Sequence, residues 1–123
     1  MRRESNFLKG FKRRFLELFP NSFFLKISDF SVGIKPFDVI LVHDGVPYAI
    51  ELKTGSRLKK HQIFFLKKFK DAGGKSFVVF KEPEGYLILD FRTEKKKKFL
   101  DLRELIKYII TGTDRNSGSR NSS

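Results

Sequence analysis

At 123 residues, with no cysteine, 15 phenylalanines and a formal net charge of +12, the chain has the length for one domain around a single apolar core and excludes disulfides and thiolate metal sites. No apolar run reaches the ~18 residues that span a bilayer, and the charged N-terminus lacks the apolar stretch of a secretion signal, so a soluble, intracellular protein with no membrane contact is expected. The excess of 26 Lys and Arg over 14 Asp and Glu points to a polyanionic partner, nucleic acid first, although basic surfaces also occur on proteins with other roles.

Phe7, Leu8, Phe11, Phe15 and Leu18 recur at helical spacing and predict a helix over residues 4–19, with Lys9, Lys12, Arg13, Arg14 and Glu17 off the stripe. Glu4 extends the core-facing stripe, but an acidic residue in a first turn also complements the helix dipole, and both readings stand. Pro20 and Asn21 end the helix. Residues 22–28 then read as a strand, and residues 29–35, with Gly33, as a loop leading into the next one.

Two apolar runs, residues 37–42 and 46–52, flank Asp44-Gly45, the signature of a hairpin with a two-residue turn. That turn opposes Val42 to Pro47, Ile40 to Ala49 and Asp38 to Glu51, and strand alternation puts Lys53 on the face of Glu51. Carboxylates about 5 Å apart repel by about 3 kcal/mol at an effective dielectric near 20, which a hard divalent cation taking oxygen ligands offsets. Asp, Glu and Lys on one sheet face therefore describe a site for metal-assisted phosphodiester hydrolysis. Taken singly, Asp38 also reads as a strand-start residue and Glu51 with Lys53 as a solvated face. Apolar neighbours on both sides argue instead for partners or a purpose.

Residues 54–57 form a short connection with Ser56 as the expected N-cap, and a helix follows over 58–72, stopped by Gly73-Gly74. Its buried stripe should contain Phe65, Leu66, Phe69 and Ala72. Gln62, the only glutamine in the chain, falls on the same side near the helix start, above the carboxylates or else bonding a backbone group there. Residues 75–81 predict a central strand, parallel to the Glu51 strand after the helical crossover. Residues 82–85 read as a turn, 86–91 as a returning strand, and 92–98, with four consecutive lysines, as a loop that either tracks phosphates or tethers. Asp101 opens a last helix with Leu102, Leu105, Ile106 and Ile109 on one stripe, and from residue 111 the polar tail should be disordered. His43 and His61 have no zinc spacing, and no glycine-rich phosphate loop occurs.

Pro36, Asp38 and Glu51-Leu52-Lys53 resemble the PD-(D/E)XK nuclease signature, with Phe37 inserted between proline and aspartate. The continuation Lys53-Thr54-Gly55-Ser56-Arg57-Leu58, then Gln62 and Ala72-Gly73-Gly74-Lys75 before an apolar strand, resembles the VRR-NUC, RecU and archaeal Holliday junction resolvase branches of that superfamily. The resemblance covers most of residues 1–91. It implies an α/β fold with a restriction-endonuclease-like αβββαβ core, a mixed central sheet flanked by helices, forming a nuclease domain over residues 1–110. The element order read from periodicity agrees.

The resemblance also implies chemistry. Asp38, Glu51, the Leu52 carbonyl and Glu4 would hold one or two Mg2+ or Mn2+ ions. Lys53 would position the attacking water and stabilise the charge at phosphorus, and Gln62 would orient groups around the metal. Lys35, Arg57, Lys59 and Lys60 are the expected DNA backbone contacts, although Lys59 and Lys60 also read as a solvated face, which is what most single lysines on a helix are. The implied protein is a magnesium-dependent endonuclease cutting branched DNA, most specifically a homodimeric Holliday junction resolvase. A nicking or flap-type VRR-NUC nuclease and a non-catalytic nucleic-acid-binding module of the same fold are the alternatives.

Overall fold

The structure, a computed structural model, describes residues 2–28, 35–55 and 57–112, the side chains of residues 2–5 excepted. In chain order the elements are α1 (Arg2–Leu18), β1 (Phe23–Lys26), β2 (Val39–His43), β3 (Val46–Thr54), α2 (Lys60–Asp71), β4 (Lys75–Glu82), β5 (Gly85–Asp90), β6 (Lys95–Phe99) and α3 (Leu102–Thr111). The strands form one mixed sheet in the order β1-β2-β3-β4-β5-β6. Only β3 and β4 run parallel, because α2 carries the chain back between them. Helix, three strands, helix, strand is the order expected from the sequence, and the fold is a mixed α/β one.

Strand alternation sorts the core into two layers. On one face of the sheet Val39, Leu41, Tyr48, Ile50, Leu52, Phe77, Val79 and Ile88 meet Phe7, Phe11 and Phe15 of α1 and Leu102, Leu105, Ile106 and Ile109 of α3. On the other face Ala49 and Val78 pack with Leu66 of α2, closed at the ends by Phe37 and Phe91. β3 is covered on both sides and is buried continuously from Tyr48 to Lys53. Ser76 Oγ donates to the Leu66 carbonyl at 2.7 Å and ties α2 to β4.

The hairpin forms as its sequence requires. Asp44 and Gly45 both take positive φ, 52° and 79°, the geometry whose twist matches that of the flanking strands. The register is the expected one for Val42 opposite Pro47 and Ile40 opposite Ala49, and the ladder ends at Val39 opposite Ile50, short of the expected pair Asp38 and Glu51. Asp38 stands one residue before β2, outside the strand in which the sequence placed it.

Three further expectations change. The helix after the hairpin starts at Lys60 with Lys59 as N-cap, where Ser56 was expected to cap a helix from 58; Ser56 lies outside the described residues. Ala72, expected in the buried stripe, is the exposed C-cap of that helix, while Ile63 packs against the core instead. The lysine run is no loop: Lys95 to Phe99 form the edge strand β6, in register with β5. Four like residues erase the alternation that marks a strand, and a row of ammonium groups on an edge strand suits its position by opposing pairing with a foreign sheet. The expected loop around Gly33 and the polar tail from 113 fall outside the described residues, and α3 continues through Thr111.

Candidate active site

β3 positions two charged side chains on the α2 side of the sheet. Ala49 and Val78 belong to the α2 layer, and Glu51 is in register with Val78, so Glu51 and then Lys53 face the same way. Both are buried, Glu51 at 3% and Lys53 at 4% exposure. Among the described residues, Lys53 is the only buried lysine or arginine in a chain rich in both. Burying an ammonium is costly without compensation. Here compensation comes from Glu51, whose Oε2 stands 3.6 Å from Lys53 Nζ.

Gln62 completes this group from α2. Its Nε2 donates to Glu51 Oε2 at 2.7 Å, and its Oε1 accepts the Lys59 N–H at 2.8 Å. The two bonds fix the amide: the end facing the helix start must accept, so the NH2 end must face the carboxylate. One side chain thus satisfies an otherwise bare N–H of the helix start and locks the orientation of Glu51. Gln62 thus both bonds the backbone at the helix start and reaches the Glu51 carboxylate. Gln62→Ala strips Glu51 of this donor and leaves the Lys59 N–H bare, so it should destabilise the fold by about 1–3 kcal/mol in urea denaturation, while Gln62→Glu, which sets two carboxylates face to face, should do worse.

Asp38 reaches the same strand from the other side of the hairpin. Its Oδ2 accepts the backbone N–H of Leu52 at 2.8 Å, and its Oδ1 receives Lys35 Nζ at 2.9 Å. A strand residue points its N–H and C=O to the same edge, so the Leu52 carbonyl faces the gap that Asp38 fills, beyond the last β2–β3 pair. The side chain of Leu52 points the other way, into the α1 layer, where it is anchored. β3 therefore offers one hydrophobic anchor, one backbone acceptor and two flanking charges within three residues.

The structure brings Glu51, Lys53 and Gln62 together in one group and ties Asp38 to the Leu52 N–H and Lys35 in another, the two meeting on adjacent residues of β3. Arg57, Lys59 and Lys60, expected on DNA, are exposed around the start of α2. Lys35, also expected on DNA, is engaged with Asp38. That bond was not read from the sequence, although the three-residue spacing across Pro36 was its available signal. The backbone N–H of Leu52 as a partner of Asp38 was missed as well, since no residue type announces it. Glu4 lies in α1, and its side chain is outside the described residues. Among the described residues no group of three His, Cys, Asp or Glu side chains gathers. Two carboxylates and a main-chain carbonyl are hard oxygen donors, the kind that magnesium and manganese take.

No family model matches the sequence, and no curated protein matches it. Among solved structures, the chain is similar to that of Archaeoglobus fulgidus Hjc, a Holliday junction resolvase from an archaeal hyperthermophile. The two are 21% identical with a TM-score of 0.49, over 80% of this chain and 98% of that one. It is also similar to SSO0001 at 19% identity and a TM-score of 0.34, over 76% of this chain and 49% of that one.

Proposed function

We propose that this protein is a divalent-metal-dependent endonuclease acting on DNA, most specifically a Holliday junction resolvase. The observation that carries the reading is the buried Glu51–Lys53 pair beside Asp38. A fold of this size gains little from enclosing an ammonium and a carboxylate next to a second, part-buried carboxylate, and metal-assisted phosphodiester hydrolysis uses such groups. Asp38, Glu51 and the Leu52 carbonyl would hold Mg2+ or Mn2+, with Glu4 as a further ligand. Such an ion supplies Lewis acidity toward phosphate oxygen and lowers the pKa of bound water.

The protein's own groups supply the rest. Gln62 holds Glu51 in one orientation, and the Leu52 N–H holds Asp38, so the acidic pair is preorganised before substrate arrives. Lys53 is anchored by Glu51 on a rigid strand and presents its charge and donors to a phosphate or to the attacking water. The exposed cations of Arg57, Lys59 and Lys60 meet the DNA backbone, which fits the net charge of +12. Resolution of a four-way junction needs paired cuts, so the active form would be a homodimer. Phe23 and Leu25 of edge strand β1, exposed on the α2 side of the sheet, and exposed Phe64 on α2 offer apolar surface to a second copy.

Cleavage of a four-way junction, duplex, nicked, flap and single-stranded DNA in Mg2+, beside an EDTA control, tests the reading. Symmetric cuts on the junction, lost in EDTA, are expected from a protein that sediments as a dimer. Cutting of nicked or flap DNA by a monomer would favour the VRR-NUC alternative. Binding with no cleavage in Mg2+ would leave the non-catalytic module.

A further inference from the structure

We propose that Lys35 is an exchangeable counter-ion of Asp38, neutralising that carboxylate while no metal is bound and yielding Oδ1 to a divalent cation when a DNA phosphate takes up its ammonium. The inference rests on the nuclease reading above and concerns how that site is loaded. Its basis is the unequal treatment of the two Asp38 oxygens. Oδ2 is held at 2.8 Å by the Leu52 N–H, a main-chain donor that cannot move without opening the sheet edge. Oδ1 is held at 2.9 Å by an ammonium on a flexible four-carbon stem.

The site's two lysines differ in the same way. The Lys53 side chain is 5% exposed and enclosed with Glu51, so it stays where it is. The Lys35 side chain is 29% exposed, opposite an Asp38 side chain that is 16% exposed. It can leave Asp38 for solvent or for a phosphate without disturbing the core. A cation and the Lys35 ammonium compete for one oxygen, and an arriving phosphate removes the competitor. Metal and DNA then favour each other's binding, reciprocally and through one side chain.

Mn2+ binding, read from the EPR signal of the free ion, tests this without any reaction. The titration is run with and without a four-way junction carrying phosphorothioates at the cut positions, on the wild type and the Lys35→Met, Lys35→Arg and Asp38→Asn variants. Without DNA, Lys35→Met should bind Mn2+ about five- to tenfold more tightly, the scale of one part-buried charge-assisted bond. Lys35→Arg should follow the wild type. Junction DNA should tighten Mn2+ binding by the wild type more than by Lys35→Met. If Lys35→Met binds Mn2+ no better than the wild type while Asp38→Asn loses binding, Lys35 is a fixed support and the inference fails alone. If Asp38→Asn binds Mn2+ as the wild type does, the metal reading of the site fails, and this inference with it.

Discussion

Glu51→Gln is expected to abolish magnesium-dependent cleavage, by about a thousandfold or more, while leaving DNA affinity nearly unchanged. The change keeps the size of the side chain and removes its charge, and with it a proposed metal ligand and the anchor of Lys53. Gln62 can still donate to the new amide oxygen, so the local hydrogen bond survives. Affinity rests on exposed cations that the substitution does not touch, so the salt dependence of binding should also be preserved. Single-turnover cleavage and filter binding on the same junction separate the two quantities. A normal rate would remove Glu51 from the site; a parallel loss of binding would place it in recognition and not in chemistry.

Most of this site was legible because a strand converts spacing into geometry. The Asp44-Gly45 turn fixes the hairpin register as far as Val39 and Ile50, one residue short of Asp38 and Glu51, and alternation puts Lys53 beside Glu51. Gln62 was legible through the helical period, since its offset from Phe65, Leu66 and Phe69 turns it inward. What stayed hidden depends on main-chain groups or on single repeated residues. The Leu52 N–H that holds Asp38 has no side-chain signature, and the Lys35 bond to Asp38 forms outside any regular element. The start of α2 was misplaced because Ser56 is a better intrinsic cap than Lys59. In the fold, the Gln62 side chain reaches back to the Lys59 N–H and does that work from inside the helix. Strand β6 was hidden because a lysine run has no period, and its pairing with β5 is supplied by the neighbouring strand.

The Glu51–Lys53 pair should also be visible in stability, as a coupling between the two buried charges. Glu51→Gln leaves the Lys53 ammonium buried beside a neutral amide, and Lys53→Met leaves the Glu51 carboxylate buried with that ammonium gone. Each single change should cost about 3 kcal/mol, the scale for stranding one buried charge. The double variant strands nothing: the amide introduced at position 51 bonds to the neutral amide of Gln62, and the methionine introduced at position 53 fills the volume of the lysine stem. It should therefore unfold within about 1 kcal/mol of the wild type or above it, since replacing a buried pair by neutral groups is commonly neutral or stabilising. Urea denaturation of the four proteins gives the coupling directly, and m-values report whether the transition stays two-state. A double variant that is as stable as the wild type and makes no cuts shows that the charges are kept for chemistry at the expense of stability. If the two losses merely add, the ammonium and carboxylate 3.6 Å apart are not energetically coupled. Lys53 would then owe its burial to some other partner, and Glu51 could not be what holds it ready for a phosphate.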